Sequence, residues 1–285
     1  MHIIFSDIIT YCGGVDRALK MTENALKNAK PPVYSLGQLI HNHEVCSMLE
    51  AKGLAIISSP EEAKPGTVII RAHGVGDSTR EAFINAGFTL CDATCPIVQH
   101  NLDEIRRLAG SYRIVIIGDK QHDEVRSMCG VNGVSATVIE RVEDLVSLAQ
   151  GQSYAVFVQT TFSQDRYEAI CEAMRQQGYC FIEANKVCSS PIKREKAVLR
   201  LAQRCDAVII VGGKNSANTK MLADLAATSG KPVWHIENAQ EVNDEMRSFG
   251  TIGIASGTST SMETILRVKA KLLGRLREDR KKPIS

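Results

Sequence analysis

The chain has 285 residues, which suits one large domain or two to three small ones. Its 34 basic and 32 acidic residues give a formal net charge of +2, which argues against the basic field that nucleic-acid binding needs. No apolar run reaches the roughly 18 residues of a membrane-spanning helix, and the N-terminus lacks the basic and apolar regions of a signal peptide. We therefore expect a cytoplasmic protein that binds neither nucleic acid nor membrane.

Apolar runs typical of strands alternate along the chain with amphipathic runs typical of helices. This alternation predicts parallel sheets with crossover helices, and hence an α/β fold. A first unit starts after Cys12 with a predicted helix at residues 15–27. Four predicted strands follow, with a second helix before the last of them. These strands lie at residues 33–36, 55–57, 68–70 and 89–91.

The same order of elements then recurs twice. Strands of the second unit are predicted at residues 114–117, 138–139, 155–158 and 180–182, and the third unit has helices at 192–203 and 262–276 around strands at 208–211, 233–236 and 252–255. The third unit lacks a fourth strand, which the N-terminal strand at residues 2–5 can supply. We therefore expect three pseudo-threefold-related α/β domains, at residues 13–95, 96–187 and 188–276, the last completed by residues 1–12. Residues 277–285 form a basic tail.

Three cysteines, Cys12, Cys95 and Cys188, lie at strand-to-helix junctions, and polar residues follow them at similar spacings. The first polar strand ends lie 29, 27 and 28 residues after the cysteines, and the second ones 61, 65 and 71 residues after. These positions are His41, His122, Ser216, His73, Thr160 and Ser259. Ligand sites of open α/β units lie outside the carboxyl ends of strands. A pseudo-threefold ring would therefore direct the cysteines and the polar residues at one central cavity.

The remaining six cysteines have a simpler interpretation. Free thiols inside a protein behave as small hydrophobic groups. Four of the six fall in helix-like patterns and two in strands: Cys46, Cys129, Cys171, Cys205, Cys91 and Cys180.

Three thiolates about one axis are one ligand short of a closed metal site. Structural zinc takes four ligands, and ferredoxin-type clusters usually take four cysteines at short spacings. Three thiolates could hold an oxygen-sensitive [4Fe–4S] cluster with one open iron, which can act as a Lewis acid and pass electrons to a bound oxygen. Catalytic zinc with three protein ligands is the competing interpretation, although its usual histidine and carboxylate ligands fit less well.

Around the cysteines we expect a polar lining whose imidazole, hydroxyl and amide groups suit a phosphate or a diphosphate. Helix N-termini after the strands add N–H donors and positive dipole. Glu124 is the only acid in this lining, and its pKa should be raised, which suits a proton donor. The alternative for a single histidine is a surface or capping role, and for Ser216, Asn218 and Ser259 it is a helix cap.

Six segments resemble motifs of the LytB/IspH family of hydroxymethylbutenyl diphosphate reductases. They occur in the order of that family from about residue 1 to residue 275. The segments are Cys12-Gly13-Gly14-Val15-Asp16-Arg17-Ala18, Ile40-His41-Asn42, Ala72-His73-Gly74-Val75, Asp92-Ala93-Thr94-Cys95-Pro96, Gln159-Thr160-Thr161 and Lys214-Asn215-Ser216-Ala217-Asn218.

The resemblance implies three α/β domains around a [4Fe–4S] cluster held by Cys12, Cys95 and Cys188. It also implies reductive dehydroxylation of 4-hydroxy-3-methylbut-2-enyl diphosphate, in which two electrons and two protons convert the substrate into isopentenyl and dimethylallyl diphosphates and water. Electrons would come from a ferredoxin or a flavodoxin. Glu124 would relay the proton and Thr160 would order the hydroxyl, while the diphosphate would be held by His41, His73, His122, Ser216, Asn218 and Ser259.

The sequence departs from the family pattern at several places. Ile9-Thr10-Tyr11 replaces an Arg-Gly-Phe-like run before the first cysteine. A histidine and a proline are replaced by Asp119 and Asp123, and two hydroxyl side chains are replaced by Ala217 and Pro191. These changes leave open a related [4Fe–4S] enzyme that acts on a different phosphorylated or hydroxylated compound. A third hypothesis is a non-enzymatic electron carrier or redox sensor, but the open iron and the polar lining argue against it.

Overall fold

Parallel strands and crossover helices make up the protein. The structure is a computed structural model, and it describes residues 1–40 and 42–275. Within these residues the strands are β1 (His2–Phe5), β2 (Val33–Leu36), β3 (Leu54–Ile57), β4 (Thr67–Ile70), β5 (Thr89–Asp92), β6 (Arg113–Ile117), β7 (Ala136–Ile139), β8 (Ser153–Val158), β9 (Cys180–Glu183), β10 (Ala207–Val211), β11 (Val233–Ile236) and β12 (Thr251–Ser256). The α-helices are α1 (Gly13–Asn28), α2 (His43–Ala51), α3 (Asp77–Asn85), α4 (Pro96–Leu108), α5 (Asp123–Cys129), α6 (Gln164–Gln176), α7 (Ser189–Gln203), α8 (Ala217–Ala227) and α9 (Met262–Leu272).

The described strands form three four-stranded sheets with one shared topology. Their strand orders are β3-β2-β4-β5, β7-β6-β8-β9 and β11-β10-β12-β1. Every pairing is parallel. In the third sheet β1 takes the place that β5 and β9 take in the others, with His2 opposite Thr251 and Phe5 opposite Ile254. The predicted α/β class with three related sheets is confirmed.

Burial on both faces explains why the central strands consist almost entirely of apolar residues. A parallel sheet covered by helices on both faces reads as a continuous apolar run, and β4 and β10 are buried at every position. The helices are apolar on one side instead. In α4, for example, Val98, Leu102 and Ile105 are buried at a spacing of three to four residues.

The chain divides into two compact units. The first unit comprises the described parts of residues 1–12, 41–45 and 190–285, and the second comprises residues 13–40 and 46–189. The sheet that contains β1 belongs to the first unit, and the other two sheets belong to the second. The proposed boundaries of three domains, at residues 13–95, 96–187 and 188–276, stay a prediction.

Several element ends differ from the sequence-based expectation. Helices α1 and α7 begin at Gly13 and Ser189, three or fewer residues before the predicted starts, because glycine and serine weaken the apolar period without preventing a first helical turn. Helix α9 ends at Leu272, before Gly274, whose φ of +67° stops a helix. The predicted end at 276 and the basic tail, residues 277–285, lie outside the described residues. Within residues 1–40 and 42–275, no helix has the length and apolar character to cross a membrane.

Candidate functional site

The three cysteines of the repeats share one backbone setting. Each directly precedes a helix: Cys12 precedes α1, Cys95 precedes α4 and Cys188 precedes α7. The amide N–H of each donates to a carbonyl in the loop after β12, β4 or β8, at an N···O distance of 3.0 Å in all three cases. The accepting carbonyls are, in the same order, those of Thr258, Ala72 and Thr160. The repeated topology therefore presents each cysteine in the same way.

Each of these thiols is half-buried and free of disulfide bonds. A helix N-terminus carries partial positive charge, which favours a thiolate or another anion in front of it. At Gly14, a Cβ atom would lie 2.8 Å from the Sγ atom of Cys95, whereas at Gly13 a Cβ atom would meet nothing within 4 Å. The first turn of α1 thus packs directly on the Cys95 thiol, and only glycine permits this approach.

The three cysteines do not all belong to the same compact unit. Cys12 belongs to the first unit, and Cys95 and Cys188 belong to the second. Within the described part of the chain, no three histidine, cysteine, aspartate or glutamate side chains are grouped so that they could hold a metal ion. Thiolates are the usual ligands of iron–sulfur clusters, whereas most catalytic zinc sites use histidine and carboxylate ligands.

The other six cysteines do not share that setting. Cys46, Cys171 and Cys205 are buried, and burial raises the pKa of the Cys171 and Cys205 thiols, which makes them poorer nucleophiles and metal ligands. Cys205 lies in the loop between α7 and β10 rather than in a helix. Cys180 is exposed, so its expected role as a small buried hydrophobic group is wrong: β9 lies at the edge of its sheet.

Glu124 and Thr160 form a buried pair in the second unit. Glu124 lies in the first turn of α5 and is 1% exposed. Its Oε1 atom accepts from the Thr160 amide at 2.8 Å, and its Oε2 atom accepts from the Thr160 hydroxyl at 2.6 Å. Burial raises the pKa of Glu124 to about 7, although both hydrogen bonds from Thr160 oppose the rise. A carboxyl with this pKa can hold and release a proton near neutral pH.

Two imidazoles lie beside this pair. The rings of His73 and His122 meet edge to face, with centroids 5.4 Å apart and planes at 88°. His122 caps α5, because its Nδ1 atom accepts from the Glu124 amide at 3.2 Å. That bond assigns the proton of the neutral His122 ring to Nε2. Asp123 forms an ion pair with Arg71 at 2.7 Å and so links the segments that carry the two histidines.

Three predicted polar residues lie in the first unit. Ser216 caps α8 by accepting from the Thr219 amide at 3.3 Å, so the capping alternative holds for its oxygen. Asn218 is 4% exposed, yet neither its Oδ1 nor its Nδ2 atom has a hydrogen-bond partner in residues 1–40 and 42–275. Leaving a buried amide unsatisfied costs about 1–3 kcal/mol. The Asn218 side chain is therefore suited to a ligand that this structure does not include.

The backbone of Ser259 is hydrogen-bonded to Asn42, a residue without a predicted role. The Asn42 side chain donates from Nδ2 to the Ser259 carbonyl at 2.9 Å and accepts from the Val45 amide at 3.2 Å. Asn42 thus caps the start of α2 while it fixes the loop after β12. An asparagine just before a helix is a recognised cap signal, but its long-range bond leaves no mark in the sequence. His41, which precedes Asn42, lies outside the described residues.

Comparison with known proteins places this chain in a family. The family model described as LytB protein matches residues 3–273. A 4-hydroxy-3-methylbut-2-enyl diphosphate reductase of Treponema denticola is 32% identical over 94% of this chain and 98% of its own length. The reductase of the same name from Aquifex aeolicus is 33% identical over 95% of this chain and 96% of its own.

Solved structures give the same result at the level of the fold. The E-1-hydroxy-2-methyl-but-2-enyl-4-diphosphate reductase of Plasmodium falciparum superimposes with a TM-score of 0.84 at 25% identity, covering 93% of this chain and 86% of that one. A second structure, described as (E)-4-hydroxy-3-methyl-but-2-enyl diphosphate reductase, the terminal enzyme of the non-mevalonate pathway, gives a TM-score of 0.74 at 31% identity. It covers 96% of this chain and 100% of that one. This chain belongs to the LytB protein family.

Proposed function

We propose that this chain is an oxidoreductase that removes the allylic hydroxyl of 4-hydroxy-3-methylbut-2-enyl diphosphate and gives isopentenyl and dimethylallyl diphosphates. The observation that carries the proposal is the Glu124–Thr160 pair, a buried carboxyl with a pKa of about 7 that is hydrogen-bonded to a hydroxyl. Removing a hydroxyl as water needs such a proton donor. The relatives, which match over nearly their whole length, carry the name of that reaction.

The LytB family uses an iron–sulfur cluster, and we assign a [4Fe–4S] cluster to Cys12, Cys95 and Cys188. Thiolate sulfur is the usual ligand of such clusters, and the half-buried thiols before α1, α4 and α7 supply it. When bound, the cluster would relay the two electrons from the electron donor, one at a time, and would offer a Lewis-acidic iron. A ferredoxin or a flavodoxin is the proposed electron donor.

The proton path uses Glu124 and Thr160. A carboxyl with a pKa of about 7 is protonated in about half of the molecules at neutral pH. When Glu124 is protonated, its O–H can donate to the Thr160 oxygen and the Thr160 hydroxyl can donate to the leaving hydroxyl of the substrate. One proton thus leaves with the hydroxyl as water, and a second proton, added at one end or the other of the allyl group, completes either product.

The diphosphate is assigned to His41, His73, His122, Ser216, Asn218 and Ser259. The unsatisfied Asn218 amide supports this assignment, because it can donate to a phosphate oxygen without breaking an existing bond. The Nε2 proton of His122 supports it as well, because a neutral imidazole still donates to an anion. Ser216 holds the N-terminus of α8, whose positive end favours negative charge.

The proposal is tested by anaerobic purification, iron and sulfide determination, and turnover of the diphosphate with a reduced dye. We expect about four irons per chain and both products. Cys188→Ser should lose the cluster and turnover, whereas Cys180→Ser, which changes an exposed cysteine outside the assigned site, should keep both. A cluster in Cys188→Ser equal to that of the control would contradict the ligand assignment, and a loaded enzyme without turnover would contradict the substrate.

A further inference from the structure

Arg194 is a charged side chain in the interior of the first unit. It lies in α7 and is 1% exposed, and it is among the largest fully buried side chains of the described residues. Charges this deeply buried are normally paired with an opposite charge. In residues 1–40 and 42–275, no carboxylate forms an ion pair with it; its partners are neutral oxygens.

Those oxygens belong to the segment that leads to the first cysteine and to Ser256, the last residue of β12. The Nη2 atom donates to the Thr10 carbonyl at 2.8 Å, and Nη1 donates to the Ser256 carbonyl at 3.0 Å. Longer contacts of 3.5 Å join Nη1 to the Ile8 carbonyl and to the Ser256 hydroxyl oxygen. The guanidinium therefore connects residues 8–10, which end two residues before Cys12, with the end of β12.

This connection holds a backbone conformation that the segment would not adopt on its own. Thr10 has a φ of +72°, the one non-glycine residue with a positive φ in the described part of the chain. For a β-branched residue this conformation is unfavourable. The Thr10 amide donates to the Ser256 hydroxyl at 3.0 Å, and its own hydroxyl donates to the Thr260 carbonyl at 3.1 Å. These bonds and the guanidinium together fix the direction in which the chain enters Cys12.

The guanidinium of Arg194 is bonded to the segment that leads to Cys12. Burial lowers the pKa of Arg194, and the negative charge of the Cys12 thiolate opposes that change. A positive charge without a carboxylate is stabilised when an anion is present nearby, and a thiolate-bound cluster is such an anion. The geometry thus links one buried cation to one proposed cluster ligand.

We infer that Arg194 is a positioning residue for Cys12: its guanidinium holds residues 8–10 in their strained conformation and supplies the buried positive charge that compensates the cluster at this ligand. The inference rests on the proposed function for its second half, because it assumes a cluster on Cys12. It assigns Arg194 no contact with the substrate.

Two substitutions of Arg194 separate its positioning of residues 8–10 from its contribution of a positive charge. Arg194→Lys keeps a positive charge but loses the planar fork that reaches several carbonyls, and Arg194→Met loses both. Lys196→Met, which removes an exposed charge from the same helix, is the matched control. Circular dichroism of each variant establishes that the fold is kept.

The first measurement is hydrogen–deuterium exchange of residues 8–12 in the cluster-free chain. Exchange should be at least about tenfold faster in both Arg194 variants, the factor expected for losing one hydrogen bond to a charged group, and unchanged in Lys196→Met. The second is the reduction potential of the bound cluster, titrated anaerobically and followed by electron paramagnetic resonance. It should become more negative in Arg194→Met alone, because the lost positive charge no longer stabilises the reduced state.

The outcomes separate this inference from the proposed function. Wild-type exchange rates in both Arg194 variants would overturn the positioning role, and a potential in Arg194→Met equal to that of Lys196→Met would overturn the charge role. If the wild-type chain takes up no cluster, the proposed function fails while the exchange measurement still decides whether Arg194 holds residues 8–10.

Discussion

The buried carboxyl of Glu124 should make the stability of the protein depend on pH in a specific direction. Its pKa is raised from 4.5 to about 7 by burial, so the folded protein holds this proton more tightly than the unfolded chain does. The stabilising contribution is therefore fully present below about pH 4.5 and is lost as the pH rises through 7. The whole difference corresponds to about 3 kcal/mol of unfolding free energy, at about 1.4 kcal/mol for each pKa unit.

Glu124→Gln removes the titration with little change in shape. The Gln carbonyl can still accept from the Thr160 amide, and the Gln amide can donate to the Thr160 oxygen, which reverses one hydrogen bond but leaves neither group unsatisfied. The variant should therefore gain stability relative to the wild type as the pH rises. Between pH 5 and pH 8 we expect this relative gain to be about 2.5 kcal/mol, most of it below pH 7.

Urea unfolding of the cluster-free, thiol-reduced protein, followed by circular dichroism at several pH values, measures this difference. Subtracting the wild-type curve cancels the titration of all other groups. Glu143→Gln, a change of an exposed glutamate in the same unit, serves as the control and should give a flat difference. Parallel curves for Glu124→Gln and the wild type from pH 5 to pH 8 would refute the raised pKa and, with it, the proton-donor role.

Three further measurements test the site. Glu124→Gln in the loaded enzyme should keep KM and lower kcat by about 10²–10⁴-fold in steady-state assays; a raised KM at unchanged kcat would make Glu124 a binding residue. Asn218→Ala should raise KM by about tenfold, the loss of about one hydrogen bond to a charged ligand, without lowering the melting temperature, because its amide is unsatisfied in the structure; an unchanged KM would remove Asn218 from the diphosphate site. Gly14→Ala places a Cβ atom 2.8 Å from the Cys95 sulfur and should lower the iron content per chain, whereas Gly13→Ala, with nothing within 4 Å, should not; equal iron in the two variants would show that this contact is irrelevant to the cluster.

The fold could be predicted because the same order of apolar strands and amphipathic helices occurs three times in the sequence. Strands such as β4 and β10, in which only Thr67 is polar, are expected in a parallel sheet buried on both faces, and their repetition predicted the three sheets. The spacing of polar strand ends after Cys12, Cys95 and Cys188 also reflects the repeat. It selected three cysteines out of nine, and the structure gives these three the same backbone setting.

Other features could not be predicted, because they depend on contacts between distant segments. Arg194 stands between Lys193 and Glu195 and has the local pattern of an exposed helix position, yet its guanidinium reaches the carbonyls of residues almost 190 positions earlier. The bond from Asn42 to the Ser259 carbonyl spans 217 residues. The exposure of Cys180 depends on β9 being an edge strand, which strand composition alone does not indicate.

One measurement tests the central proposal most directly: a reaction of the anaerobically purified, cluster-loaded protein with 4-hydroxy-3-methylbut-2-enyl diphosphate and enough reduced dye to supply two electrons for each product formed, with the products separated and quantified. We expect isopentenyl and dimethylallyl diphosphates from the wild-type protein and neither product from Cys188→Ser. Oxidation of the cluster without either product, or no reaction at all in protein that holds a four-iron cluster, would contradict the assignment of this substrate to the chain.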